Sequence, residues 1–430
     1  MRQLGWLKEA VRPYYLRWLY FPLRPAQRPQ AFLDCWQYPY RKIEGDSARL
    51  PAADSHLPHL LIYPMTDWHA RTQRTQHLVR ALAALGYPCV YINPHLGREF
   101  ETSPLFDKAH RISQLENNIY ELHVRLPREP VFHERLLTAG EEETVLSVVR
   151  RVLPEGAAAI QVLSFPLWRG IARRLRDELG FAVVYDCHDL LSGFEKMSGD
   201  LIAAETDLLS EADLVLFSSE GLAERYRGKV RRSLLVRNAV TASQFESVAA
   251  AAPGPAAAGY VGALDSRFDV EAVRQAASRN PHCRFVLAGH VEYAPIHSLR
   301  SVPNVEFPGE IPYSRVPEFL AQLRVGLIPF AVTPLTLMTN PIKLYEYFSR
   351  GLPVVTAPLP EAQAMGDLVY VGRTAAEFAQ QVTRALGEDD PARCLRRKEV
   401  AARESWTARA RAISVEFDAL LAQSSIVPEV

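Results

Sequence analysis

The segment Thr339-Asn340-Pro341-Ile342-Lys343-Leu344-Tyr345-Glu346-Tyr347, followed by Gly351-Leu352-Pro353-Val354-Val355, carries the strongest chemical signal in this 430-residue chain. Proline suits the first turn of a helix, because the N–H it lacks would be unpaired there and its φ is preset. The pattern therefore predicts a helix from Pro341 to Ser349 with Asn340 as its cap. Lys343 then lies in the first turn, where the positive end of the helix dipole makes a cation unfavourable by about 0.3–1 kcal/mol. An anion such as a diphosphate, bound to the free N–H groups, reverses that sign. Glu346 sits three residues on and shares a face with Lys343. Its carboxylate can accept from both hydroxyls of a ribose. The bland alternative is a Lys–Glu pair on a solvated face.

Two further positions are picked out by the rule that ligands of open α/β sheets bind beyond the carboxyl ends of the strands. Gly262 follows a predicted strand, and the absence of a side chain lets a phosphate approach the backbone. A simple turn glycine is the competing reading. Gly289 and His290 stand in the same place after the strand Phe285–Ala288, where they could border a nucleotide base or sugar.

The elements needed to position these residues are legible as alternating short apolar runs and helical periodicities. His59–Tyr63 and Cys89–Ile92 read as buried parallel strands on either side of a helix over 71–85, which Gly86 stops. Strands follow at 157–163, 182–185, 213–217 and 233–236, with helices at 167–179, 201–209 and 221–226 between them. Ala249–Ala258 is a Pro/Gly/Ala tract without periodicity and reads as a linker. A second run then begins, with strands at 259–261, 284–288, 305–307, 325–328 and 353–356 and helices at 270–277, 316–323 and 341–349. The expected fold class is α/β, with two Rossmann-like domains facing a cleft.

Bulk composition narrows the function. Apolar residues make up 48% of the chain and charged residues 23%, which is a folded globular balance. The formal net charge of zero gives no phosphate-binding excess, so nucleic acid is set aside. Cys35, Cys89, Cys187, Cys283 and Cys394 are scattered singly, with no zinc spacing, as in a reduced cytoplasmic protein. No apolar run approaches the roughly eighteen residues of a membrane span, and the start of the chain lacks the apolar core of a secretory signal. Residues 1–28 do interleave aromatics and leucines with Arg2, Lys8, Arg12, Arg17, Arg24 and Arg28. That mixture suits a segment lying on an anionic membrane face, or equally a helix packed on the protein's own surface.

Taken in order, Ser233–Phe245 (SLLVRNAVTASQF), Gly259–Asp269 (GYVGALDSRFD), Phe285–Gly289, Asn304–Gly309 (NVEFPG), Val325–Phe330 (VGLIPF) and Asn340–Val355 resemble the motifs of GT-B glycosyltransferases. The likeness covers about 59–420 and is nearest to bacterial enzymes of exopolysaccharide and cell-surface glycan assembly. It implies a basic aromatic extension at 1–58, an acceptor-side domain at 59–245, a linker at 246–258 and a nucleotide-sugar-binding domain at 259–400. A last helix at 401–430 crosses back to the first domain in this fold.

The resemblance also implies roles. Lys343 meets the donor diphosphate, Glu346 the ribose and Gly262 the phosphate-side loop, while Asn340 and Thr339 lie near the donor's sugar or phosphates. Arg267, Gly289 and His290 complete the donor-binding set. Retaining family-4 members carry a glutamate eight positions before the one at Glu346, and here that position is Met338. This departure, with a likeness to the inverting glucuronosyltransferase of xanthan assembly, tilts the expectation toward inversion. An inverting transfer needs a base, and by similarity Asp189, in Tyr185-Asp186-Cys187-His188-Asp189, is the first choice, with His188 and Asp186 as rivals. Asp67, Trp68 and His69, after the first strand, fall where acceptor-binding loops belong.

The expectation is thus a metal-independent transferase, UDP-sugar favoured, with no cofactor besides the donor substrate and with a glycan or polyprenyl-linked acceptor. It would be cytoplasmic, with peripheral membrane contact through residues 1–28. A nucleotide-sugar epimerase of the same fold and a non-catalytic nucleotide-sugar or lipid-binding scaffold are the alternatives.

Overall fold

A computed structural model of the chain describes residues 41–43, 49–50, 57–69, 71–94, 96, 110–126, 132–248 and 256–424. The basic aromatic stretch at 1–28 and its expected membrane contact lie outside them. The described residues form two compact units. The first comprises residues up to Phe217, Tyr226–Leu234 and those from Ala410 on, and the second comprises Ser218–Arg225 and Leu235–Arg409.

The first unit is built on nine strands: β1 (Arg41–Ile43), β2 (His59–Tyr63), β3 (Cys89–Ile92), β4 (His110–Glu116), β5 (Ile119–Val124), β6 (Ala159–Leu163), β7 (Ala182–Cys187), β8 (Leu214–Phe217) and β9 (Ser233–Leu235). Their spatial order is β1-β4-β5-β3-β2-β6-β7-β8-β9. Strands β5, β3, β2, β6, β7 and β8 pair parallel with one another in that order, and β4 is antiparallel to both β5 and β1. Every residue of β2, β3 and β6 is buried, which is why those strands read as short, largely apolar runs. The β-α-β alternation is completed by α1 (Arg74–Ala84), α2 (Ala139–Val152), α3 (Arg169–Leu179) and α4 (Gly199–Glu211).

The β4–β5 hairpin and α2 are additions to the sequence reading. Asn118 turns the hairpin at φ 58°, a left-handed conformation that asparagine tolerates. At α2, Thr138 and Glu141 close a reciprocal cap, so Thr-x-x-Glu was the available signal.

In the second unit, β10 (Ala257–Val261), β11 (Arg284–Ala288), β12 (Val305–Gly309), β13 (Val325–Ile328), β14 (Val354–Thr356) and β15 (Val369–Val371) form one sheet in the order β12-β11-β10-β13-β14-β15. All its pairs are parallel. The helical elements are α5 (Glu220–Arg225), α6 (Ala242–Glu246), α7 (Val270–Arg279), α8 (Val316–Ala321), α9 (Pro334–Leu337), α10 (Ile342–Ser349), α11 (Pro360–Gln363), α12 (Ala375–Leu386) and α13 (Pro391–Arg403), followed by α14 (Trp406–Ser424).

Three boundaries differ from expectation. Ala257 and Ala258, read as linker, are buried strand residues paired with Arg284 and Phe285. Alanine has no strong strand preference of its own, so the pairing decides. Residues from Leu235 on cluster with the second unit, ahead of the alanine tract. The boundary expected at residue 400 falls inside α13, and the return to the first unit is made by α14. There the Tyr87 and Ser414 hydroxyls are 2.9 Å apart, and the Tyr87 ring meets Phe417 edge-on at 5.8 Å.

Candidate functional site

Strand order in the second sheet reverses beside β10: the chain first moves outward through β11 and β12, then returns to place β13 on the other side of β10. Such a switch point leaves an opening at the carboxyl ends of the two strands. Gly262 follows β10 with φ +139°, and Gly289 follows β11. A methyl built on Gly262 would lie 3.5 Å from Lys343 Nζ, so these two predicted residues are brought together.

Helix α10 carries Lys343 as its second residue and Glu346 one turn on. The Lys343 ammonium lies 5.1 Å above the Tyr260 ring and 5.1 Å above the Phe330 ring. Tyr260 belongs to β10 and Phe330 follows β13, so the switch point itself supplies the aromatic faces. Cation–π attraction favours an ammonium there. Among the described residues no carboxylate comes within ion-pair distance of Lys343, which is half-buried. Burial, reinforced by the nearby Arg267 guanidinium, brings its pKa down to about 8 against the partial compensation of Glu346 and Asp265. Arg267 is itself clamped by Asp265, with Nε and Nη2 donating at 2.6–3.1 Å. Glu346 is buried, which pushes its carboxyl up, while the Tyr313 hydroxyl and Lys343 act to lower it. Tyr260, Phe330, Asp265 and Tyr313 were not singled out from sequence. Tyr260, Asp265 and Phe330 do fall within the segments GYVGALDSRFD and VGLIPF, whereas Tyr313 lies outside any such segment.

The cap of α10 departs from expectation. Pro341 occupies the cap position with extended backbone and no side chain caps the first N–H groups. Asn340 is 1% exposed and faces inward. Its Oδ1 accepts from the Asn238 N–H at 2.9 Å, and its Nδ2 donates to Tyr345 at 3.0 Å and Glu361 at 2.9 Å. The amide is thus committed to protein groups and anchors the segment ahead of α10 instead of facing a ligand. Glu361 extends the network by accepting from Glu220 N and Arg237 Nε. The Thr339 hydroxyl donates to the Leu335 carbonyl at 3.0 Å. His290 accepts at its carbonyl from Leu264 N.

In the first unit, the end of β7 separates the three candidate bases. Asp186 is 1% exposed and takes three hydrogen bonds of 2.8–3.0 Å from Arg74, so it is a structural ion pair and not a base. The His188 ring meets the Asp186 carbonyl at 3.0 Å and lies 3.9 Å from the Asp189 carboxylate. The Asp189 side chain is 22% exposed, the most open of the three.

A second polar group lies at the carboxyl side of β2 and β3. Asp67, His69 and Glu121 are all buried and bring possible metal-ligand atoms within 4.8 Å of one another. His69 Nε2 is 3.2 Å from Glu121, and its backbone N–H donates to Asp67 at 2.7 Å. Asn93 Nδ2 donates to Glu121 at 2.6 Å and contacts Asp67 at 3.4 Å. Burial works to raise the Glu121 carboxyl, but the His69 and His123 imidazoles and the Asn93 amide outweigh it and bring it to about 2.

Comparison with known proteins gives this arrangement a family. The family model "Glycosyl transferase 4-like domain" matches residues 72–239, and "Glycosyl transferases group 1" matches residues 256–388. With both halves matched in tandem on this fold, the chain belongs to the GT-B glycosyltransferases. It is 24% identical over 262 residues to a protein of Bacillus subtilis (strain 168) named as a teichuronic acid biosynthesis glycosyltransferase, TuaH. That match spans 54% of this chain and 65% of the relative, so just under two thirds of the relative's length is covered. The fold is shared with sucrose-phosphate synthase from Thermosynechococcus elongatus at TM-score 0.65 and 17% identity, over 86% of this chain and 100% of that one. Anabaena HepE in complex with UDP matches at TM-score 0.61 and 13% identity, over 84% and 100% of the two chains. Among the described residues no helix is long and apolar enough to cross a membrane.

Proposed function

We propose that the protein transfers a sugar from a nucleoside-diphosphate sugar, UDP-linked in the favoured case, to an acceptor hydroxyl during assembly of a cell-surface glycan. The observation that carries this reading is Lys343: an ammonium at the start of α10, set over Tyr260 and Phe330 and beside Gly262 at the switch point of the second sheet. The diphosphate lies against Lys343, the first N–H groups of α10 and the open backbone at Gly262, and Arg267 leaves Asp265 to reach it. Glu346 accepts from the ribose hydroxyls. The TuaH likeness supports a cell-surface pathway, and the UDP-bound HepE structure supports UDP as the nucleotide.

In the transfer the acceptor hydroxyl oxygen attacks the anomeric carbon, Asp189 takes the hydroxyl proton, and the carbon–oxygen bond to the diphosphate breaks with its electron pair staying on phosphate. The fixed positive charge at Lys343 and the helix start stabilises that developing anion. The anomeric centre inverts, no metal or further cofactor takes part, and the acceptor is a glycan or polyprenyl-linked intermediate held by the first unit. Work at the inner face of the plasma membrane, with contact through residues 1–28, suits such an acceptor.

The test is a thermal-shift and calorimetric panel of nucleoside diphosphates and their sugars, because a ligand of the native state raises stability with log concentration. UDP and one UDP-sugar should bind, with Lys343→Ala losing both. Indifference of the protein to every nucleoside diphosphate would sink the reading, and conversion of the donor alone to an epimer would replace transfer by epimerisation.

A further inference from the structure

The transfer chemistry uses none of the buried polar cluster around β2, β3 and β5. Asp67 and His69 lie on the loop after β2, Asn93 directly follows β3, and Glu121 and His123 project from β5 on one face, two residues apart. All five are between 1% and 4% exposed. Trp68, between the two loop ligands, packs edge-on against Tyr91 at 5.1 Å and carries the Arg80 guanidinium 4.6 Å above its ring. Gln76 donates to the Asp67 carbonyl. The loop that presents Asp67 and His69 is therefore held by packing and not only by the cluster itself.

We infer that Asp67, His69 and Glu121 form a binding site for one divalent cation of the zinc class. One imidazole nitrogen with two carboxylate oxygens is a donor set that such ions take at about 2.0–2.2 Å. Ligand atoms around an ion at that distance stand roughly 3–3.6 Å apart. His69 and Glu121 already meet this spacing at 3.2 Å, and the Asp67 carboxylate brings a third ligand atom within 4.8 Å of both. The surrounding groups do what outer-shell partners of metal sites do: Asn93 orients both carboxylates, and the His69 N–H fixes Asp67.

A general-base dyad is the competing chemistry for the same residues. One carboxylate suffices to orient a base, whereas two converge here, and a base must be reached by substrate, whereas His69 is 4% exposed. The geometry favours the ion, which would pin the loop after β2 to β5.

The experiment uses tag-free full-length protein, stripped with chelator and titrated with Co²⁺ and Zn²⁺. This readout is independent of nucleotide binding, so its failure leaves the glycosyltransferase reading untouched. Wild type should take up one equivalent of Co²⁺ with visible d–d absorption, and Zn²⁺ should displace it and raise the melting temperature. His69→Ala and Glu121→Gln should weaken uptake by at least about 10–100-fold while keeping a cooperative melt. If stripped wild type takes up neither ion, or if both variants bind as wild type does, the site is overturned and the cluster is a hydrogen-bonded network. The wild-type titration decides even if a variant fails to fold.

Discussion

A methyl group on Gly289 would stand 1.8 Å from the carbonyl oxygen of Gly262. The two glycines follow adjacent parallel strands, with Val261 opposite Ala288 in register, and their backbones touch where a diphosphate is proposed to lie. Gly289→Ala therefore has to push the Gly262 backbone away. We expect a loss of about 1–3 kcal/mol in denaturant unfolding, with weakened UDP binding by calorimetry in the folded fraction.

Lys343→Met should separate stability from binding. Removing a half-buried ammonium that lies beside a guanidinium, and keeping its apolar length, leaves the melting temperature equal or higher. A charge-assisted contact to phosphate is worth about 1.5–3 kcal/mol, so UDP affinity should fall by roughly 10–150-fold. A variant that melts normally and binds UDP as wild type does would remove Lys343 from the site.

Donor binding should depend on pH through the same residue. In the free protein burial and Arg267 bring Lys343 to about 8, and a bound diphosphate favours the ammonium and raises that value. Affinity is then level below pH 8 and falls as pH rises through it, with proton uptake visible as a buffer-dependent calorimetric enthalpy. The stability of the unliganded chain moves the other way. Between about 8 and the ordinary lysine value of 10.5, the unfolded chain holds a proton that the folded chain has released, so this group's cost to folding declines as pH rises.

The two aspartates at the end of β7 should fail differently. Asp186→Asn removes the buried carboxylate that takes three hydrogen bonds from Arg74 and should destabilise by about 3–5 kcal/mol, read as a lower melting temperature. Asp189→Asn should melt as wild type and lower kcat by about 10²–10⁴. Equal turnover in Asp189→Asn would remove it as the base.

Asn340→Ala strips hydrogen bonds from Asn238, Tyr345 and Glu361 together. A cost of about 1–3 kcal/mol for the unsatisfied partners is expected in chemical denaturation. Asn340→Asp should be worse than Asn340→Ala, because it sets a second carboxylate 2.9 Å from Glu361.

Much of this protein was readable before its structure. The parallel strands of both sheets announced themselves because a strand covered on both faces is largely apolar, as at residues 60–63 within β2 and at Val325–Ile328. The first turn of α10 was legible because Pro341 suits a helix start, while Lys343, two residues on, is unfavourable to the helix dipole and favourable to an anion. Less was visible where side-chain type does not discriminate. Ala257–Ala258 could be linker or strand, and the polar alternation of β4 (HRISQLE) gave no buried run to read.

What the amino-acid order determined by itself is local: element type, the α/β alternation, and the placing of Lys343 and Glu346 one helical turn apart. Tertiary structure alone decided which distant groups share an environment. It turned Asn340 from a helix cap into the centre of a buried network, tied Asp186 to Arg74 across 112 residues, and brought Glu121 to His69. The reason is physical: periodicity and capping are set by neighbours a few residues apart, whereas a buried polar group takes whichever partner the packed sheet brings within reach.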